Sequence, residues 1–256
     1  MIEIRGVHKW FDAHHVLRGV DLTIRDGETL VIIGRSGCGK SVLLKHIIGI
    51  LEPDRGDIKI DGRSVYEAFE NDQEKFRLQL GMLFQGAALF DSLTVYENVG
   101  FALLEHTRMS AREIDEKVRE KLSLVGLQGI GELMPASLSG GMKKRVGLAR
   151  AICNDPKIIL YDEPTTGLDP INADAINDLI LRMQEKLKVT SIVVTHDMKS
   201  AYKVADRIAM LYEGRIIGLG TPDDIRGSRD PVIQQFINGS AHGPITNGIK
   251  KETEKL

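Results

Sequence analysis

The chain opens on an alternating pattern. In residues 1–7, MIEIRGV, Ile2 and Ile4 alternate with Glu3 and Arg5, the period of a strand with one buried face. GDIKIDGRSV then sets Asp61-Gly62 between two strand-like runs, a hairpin signal. Residues 29–34, TLVIIG, form a continuous apolar run ending in glycine, as expected of a strand buried on both faces, and a helical pattern starts at once from Ser41. From about 90 to 155 the period becomes helical. TVYE (Thr94, Glu97) and SARE (Ser110, Glu113) fit the capping box, and after the second Ile114, Val118, Leu122 and Val125 make one apolar stripe. After 155 the strands return as KIILYD. A helix carrying Ile176, Leu179, Ile180, Met183 and Leu187 follows, then TSIVVTHD, then RIAMLYEGRIIGLG with a Glu-Gly turn. This order predicts an α/β domain with a mainly parallel sheet core, an antiparallel β-subdomain at the start and an inserted helical subdomain over about 87–153. The domain is expected to span 1–238. From Gly239 the composition turns to Gly, Ser, Asn and Lys, and the tail 239–256 is expected to be mobile in isolation.

Composition narrows the partners. At 256 residues and 42% hydrophobic the chain can bury a sizeable core. Its net charge of −2 gives no electrostatic reason to expect nucleic acid. The one dense basic run, Lys143-Lys144-Arg145, reads as a solvated helix face. Two cysteines, Cys38 and Cys153, are too few for a disulfide scaffold and fit a reducing compartment. No signal-peptide pattern opens the chain, and no apolar run approaches the roughly 20 residues that span a bilayer. Any spanning role is expected to fall to another chain.

The chemistry starts at residues 34–41. Gly34, Arg35, Ser36, Gly37, Cys38, Gly39, Lys40 and Ser41 fit G-x-x-x-x-G-K-[ST] between a strand and a helix. Glycines let backbone N–H groups curl around phosphate oxygens, Lys40 supplies a point charge, and the Ser41 hydroxyl can ligate Mg²⁺. The helix that continues through Val42 adds its positive end. IILYDEP supplies what that loop lacks. Asp162 ends an aliphatic strand where it can hold Mg²⁺, and Glu163 follows, placed to polarise an attacking water. Cys38, near a helix N-terminus, is expected to favour thiolate, so that an alkylator would inactivate and MgATP protect. LSGGM, with Ser139, Gly140 and Gly141 opening a helix, leaves further N–H donors for an anion.

With LSGGM the chain resembles the ATP-binding cassette (ABC) ATPases, P-loop NTPases whose signature usually reads Leu-Ser-Gly-Gly-Gln. The resemblance implies ATP and Mg²⁺ as ligands and a homodimer with two ATPs at its interface. Each nucleotide would lie between the phosphate loop of one copy and the Ser139 segment of the other. It also implies further roles in the expected order. Phe11, in HKWFDAHHVL, matches the aromatic that stacks on adenine, and Gln85 the glutamine that senses the γ-phosphate and Mg²⁺. Asp169, in GLDP, matches the residue that reaches across the dimer, and His196, in VVTHD, the histidine that contacts the γ-phosphate. Glu163, His196, Lys40 and Gln85 are thus the catalytic candidates, and Ser41, Gln85 and Asp162 the Mg²⁺ candidates. Met142 departs from the usual glutamine, and a thioether donates no hydrogen bond.

The resemblance extends to the machine. Residues 85–138 are too short for the coiled coil of repair-type members, and a single cassette does not fit the ribosomal types. A transporter with separate ATPase and membrane subunits remains. LFQGAALFDSLTVYENVGFAL, LSGGM and YDEPTTGLDPI together look like the ATPases of Mla/Mce-type lipid transporters. That implies an integral-membrane permease docking near residues 85–96, further subunits of a lipid transport complex, and a peripheral place on the cytoplasmic side of the inner membrane. The rival readings are an amino-acid or other small-solute importer and a non-transport ATP-binding module. Within 82–99, Leu83 and Val99 are assigned to the core. Ala87, Leu89, Phe90, Leu93 and Tyr96 are assigned to a groove for a permease helix.

Overall fold

A computed structural model describes residues 1–67 and 76–246. Strands β1 (Ile2–Phe11), β2 (His14–Ile24), β4 (Arg55–Ile60) and β5 (Arg63–Ser64) form an antiparallel sheet ordered β2-β1-β4-β5. Asp61 and Gly62 both take positive φ (51° and 79°), the backbone of a primed hairpin turn, and pair Ile60 with Arg63. The second sheet, ordered β10-β9-β3-β8-β7-β6, comprises β3 (Thr29–Ile33), β6 (Leu80–Leu83), β7 (Ile158–Asp162), β8 (Thr190–Thr195), β9 (Arg207–Tyr212) and β10 (Arg215–Gly220). All its pairings are parallel except β9–β10, joined through Glu213 and Gly214 at φ 45° and 75°.

The apolar strands alternate between two cores. Val31, Ile33, Ile159, Tyr161 and Val193 face the helical layer, whereas Leu30, Ile32, Ile158, Leu160, Ile192 and Val194 face the antiparallel sheet and α1 (Lys40–Ile47). Burial of both faces explains why these segments read as unbroken apolar runs. The helical insert comprises α2 (Val95–His106), α3 (Ala111–Leu124) and α4 (Gly140–Ala151). Thr94 with Glu97 and Ser110 with Glu113 each make both bonds of a capping box, worth about 1 kcal/mol per helix. Ile114, Val118, Leu122 and Val125 are all buried against it, as are Leu83 and Val99. Among the described residues no helix is long and apolar enough to cross a membrane.

Two expectations change here. The tail does not leave the fold at Gly239. Gln235, on the helix Pro231–Ile237, accepts the Ile245 N–H at 2.7 Å and donates to the Ser240 carbonyl and the Thr246 hydroxyl. Ile245 is thereby buried in the core, while 247–256 lie outside the described residues. The basic run is not a solvated face either. Lys144 is only 5% exposed, and Lys143 and Arg145 are half-buried.

Gly56 shows how tightly the antiparallel sheet is built. It sits at φ 88° where the β1–β4 register shifts, and a Cβ there would lie 2.3 Å from the Gly6 carbonyl oxygen and 2.5 Å from that of Arg5. Gly56→Ala combines left-handed strain with a backbone clash. It should lower unfolding free energy by about 2–4 kcal/mol, read from the denaturant midpoint at unchanged m-value.

Candidate functional site

Because β3, β7 and β8 run parallel, their C-terminal ends lie along one edge of the sheet, where α/β sheets bind ligands. Register does the rest. Ile33 pairs with Thr195 and Asp162 with Val194, so Gly34, Glu163 and His196 leave the sheet side by side. The 34–39 loop leads from β3 into α1. Gly39 takes φ 105° at the N-cap with no side-chain cap, so the first N–H groups of α1 open toward the loop. Lys40, 5% exposed, donates to the carbonyls of Gly34 (2.8 Å) and Arg35 (3.0 Å) and lies 3.6 Å from Glu163 Oε1. An ammonium this buried needs such partners, and phosphate oxygens would serve it as well.

Ser41 Oγ donates to Asp162 Oδ1 at 2.8 Å. Burial pushes the Asp162 carboxyl up, and the Ser41 hydrogen bond opposes this. A hydroxyl and a carboxylate side by side make the hard oxygen set that suits Mg²⁺, so the residues present fit that ion.

Glu163 is the node of the site. Its backbone is left-handed (φ 47°), which costs a non-glycine residue about 1–2 kcal/mol, and its N–H is held by the Val194 carbonyl at 2.9 Å. Oε2 accepts from Thr166 Oγ1 (3.1 Å) and Thr195 Oγ1 (3.4 Å) and meets His196 Nδ1 at 2.9 Å. The other oxygen faces Lys40. The carboxylate is fixed through one oxygen, while the other meets only the Lys40 ammonium at 3.6 Å, so Lys40 turning to phosphate would leave that oxygen to accept a proton as a general base does.

Beside the loop lies a cavity of about 380 Å³, lined among others by His14, Val16, Gly37, Cys38, Tyr212 and Ile245. Phe11 is not among its lining residues. It pairs with His14 across the hairpin and keeps 43% of its surface exposed, with Lys9 Nζ 5.8 Å above its ring.

The remaining candidates lie apart from this cluster. Ser139 caps α4, accepting from the Met142 N–H at 3.3 Å. Gly140 and Gly141 face Leu168 and Asn172 near the start of α5 (Pro170–Leu187). Asp169 caps its own helix, its carboxylate accepting from Ile171 N and Asn172 N at 3.0 Å. In the 85–96 stretch the expectation for Ala87 does not hold. It is buried against α4, near Gly147, rather than lining a groove. Leu89, Leu93 and Tyr96 are half-buried. Phe90 is 45% exposed and its ring lies tilted against that of Phe101, centroids 4.8 Å apart.

Several residues were not read as functional in the sequence. Thr166 and Thr195 orient Glu163. Asn98, fully buried, accepts the Phe90 N–H at 2.8 Å and donates to the Phe90, Leu93 and Thr94 carbonyls, fixing the loop ahead of α2. Its signal was available: an amide on the apolar face of a helical pattern. Lys144 donates to the carbonyls of Gln85 and Glu163.

A family model described as ABC transporter matches residues 17–166. The chain is 44% identical to protein TRIGALACTOSYLDIACYLGLYCEROL 3, chloroplastic, of Arabidopsis thaliana, over 96% of this chain and 75% of that one. It is 42% identical to the probable ribonucleotide transport ATP-binding protein mkl of Mycobacterium tuberculosis (99% and 70%). It is 41% identical to the intermembrane phospholipid transport system ATP-binding protein MlaF of Haemophilus influenzae (96% and 93%). Among solved structures, a dimeric ATP-binding cassette in a post-hydrolysis state bound to ADP and Pi superposes with a TM-score of 0.80. It is 33% identical, over 87% of this chain and 99% of that one.

The Cys38 expectation reverses. Burial pushes its thiol up, and the Lys40 charge offsets this only in part; burial pushes Cys153 up to about 11. A raised value leaves less thiolate at neutral pH. Iodoacetamide should therefore label the folded protein more slowly than the same chain in denaturant, with the rate climbing only above the ordinary thiol range. Equal rates at pH 7 would contradict this.

Proposed function

This chain belongs to the ABC transporter family of ATP-binding, ATP-hydrolysing subunits, and on that premise we propose that it drives a membrane permease that moves phospholipid or a related lipid. The observation that carries the mechanism is the separation of Ser139 from the Lys40–Glu163 cluster. Ser139, Gly140 and Gly141 open a helix at an exposed end, and among the described residues no hydrogen bond or ion pair joins these three to that cluster. One chain therefore holds half of each site. Two copies meeting head to tail would set the Ser139 end of one over the phosphate loop of the other.

In this mechanism Lys40 exchanges the Gly34 and Arg35 carbonyls for phosphate oxygens, and the α1 N-terminus and the 34–39 amides cradle the rest of the chain of phosphates. Mg²⁺ held by Ser41 and Asp162, with Gln85 alongside, would neutralise phosphate charge. Glu163, oriented by Thr166, Thr195 and His196, takes the proton of the attacking water, assistance worth about 10²–10⁴-fold in rate. His196 is half-exposed and free to turn its other nitrogen toward the γ-phosphate. Phe11, Cys38, Val42 and the loop residues 34–41 line the nucleotide side, with Phe11 moving onto the adenine from its exposed position. Asp169, at the cap of its helix near the Ser139 segment, would reach across to the partner copy.

The permease surface centres on Phe90, the exposed aromatic of the 85–96 stretch, whose loop Asn98 holds rigid. An exposed aromatic on a rigid loop is a common anchor at interfaces. The lipid assignment draws on the names of the MlaF and Arabidopsis relatives. A small-solute importer stands as the second reading because the mkl relative is named for ribonucleotide transport. Attachment through the permease would make the chain peripheral on the cytoplasmic face of the inner membrane.

Glu163→Gln tests the mechanism. The variant should bind ATP, elute as a dimer only with ATP, and lose about 10²-fold or more of phosphate release. With the copurified membrane subunits in liposomes, wild type should move labelled phospholipid with ATP and Glu163→Gln should not. ATP-dependent uptake of labelled ribonucleotide, with no lipid movement, would favour the second reading.

A further inference from the structure

Lys144, one of two buried lysines outside the phosphate loop among the described residues, has no role in the mechanism above. Lys144 spends its ammonium on two main-chain carbonyls, those of Gln85 and Glu163, the latter at 3.1 Å. Neither bond is to a carboxylate. What Lys144 fixes is therefore the path of two loops, the one leaving β6 and the one leaving β7, relative to the helix α4 that carries it. A lysine ammonium is a compact three-donor group, suited to bridging carbonyls that converge from different segments.

The same helix holds the first loop at two more points. Arg150 donates to the carbonyls of Ala87 and Ala88, each at 2.7 Å, and both alanines are left-handed (φ 60° and 47°). Between the two cations Gly147 lets α4 approach. A Cβ there would lie 3.0 Å from Leu83 Cδ1 and 3.2 Å from the Ala87 Cβ. The loop bearing Gln85 thus rides on α4, and α4 begins at Ser139. Phe90 continues the same loop, and Arg150 lies 5.9 Å over its ring.

We propose that Lys144 is a positioning residue that locks the Gln85 loop, the Glu163 backbone and the Ser139 helix into one body. A displacement at Phe90 is then delivered to the hydrolysis centre. Lys144 acts through Gln85 and Glu163, whose carbonyls take its hydrogen bonds. The inference rests on the ATP-hydrolysis reading given above.

The test compares wild type, Lys144→Met and Lys144→Arg as full-length chains, alone and with the membrane subunits. Lys144→Met keeps the length of the side chain without its donors. Its kcat should fall about tenfold or more at an ATP KM within about twofold of wild type. It should lose stimulation by the membrane subunits, and Lys144→Arg should recover a large part of both. Hydrogen exchange supplies a second readout. Amides in 85–90 should exchange faster in Lys144→Met and return toward wild type in Lys144→Arg, while those of β3 and β8 stay protected. Wild-type kcat and exchange in Lys144→Met would overturn the proposal. So would faster exchange throughout the sheet in both variants, which would make Lys144 a general packing residue. If wild type itself released no phosphate, the hydrolysis reading would fail, and the exchange pattern alone would still decide whether Lys144 holds the loop.

Discussion

Everything at the sheet edge depends on the turn that the main chain makes at Glu163. At φ 47° this residue leaves β7 in a conformation that a non-glycine side chain adopts at a cost. The surroundings hold it there. Its N–H goes to Val194, its carbonyl receives Lys144, and its carboxylate is shared among Thr166, Thr195, His196 and Lys40. The partners come from several elements, three of them at the end of β8, so the phosphate loop, β8, the 163–168 turn and the signature helix are indexed to one residue. A relaxed backbone there would aim the carboxylate elsewhere, and the site would lose its common reference.

That arrangement also explains why the fold is built as two cores around one sheet. A parallel sheet buried on both faces leaves only its ends for chemistry. The alternation of Leu30 and Ile32 with Val31 and Ile33 keeps both faces dry. The antiparallel sheet packs over α1 on one side, bringing His14 and Val16 to the rim of the phosphate loop. The helical insert packs on the other, bringing α4 against the Gln85 loop.

Much of this is legible in residue order. Both capping boxes, both primed turns and the Ile114–Val125 stripe follow from local chemistry, and the structure forms each of them. The misreadings share a cause: they concern residues whose tertiary partners the local pattern does not reveal. Lys144 sits in a run of charge that reads as solvated, yet its acceptors are Gln85 and Glu163. Cys38 reads as activated by a helix terminus, but tertiary burial outweighs that effect. The Gly- and Ser-rich start of the tail reads as loose, whereas the amide of Gln235 gathers it. Ala87 reads as surface because nothing local reveals that Gly147 lets α4 come so near.

The central claim is that each hydrolysis centre is completed by a second copy. Mixed dimers test it directly. When Lys40→Ala resides on one chain and Ser139→Ala on the other, one site carries both defects and the second is intact. When both substitutions share a chain paired with wild type, every site carries one defect. The account predicts ATP-dependent phosphate release from the first pairing and little from the second. Release from the second pairing with none from the first would show that Lys40 and Ser139 of a single chain serve one nucleotide, and would contradict the account.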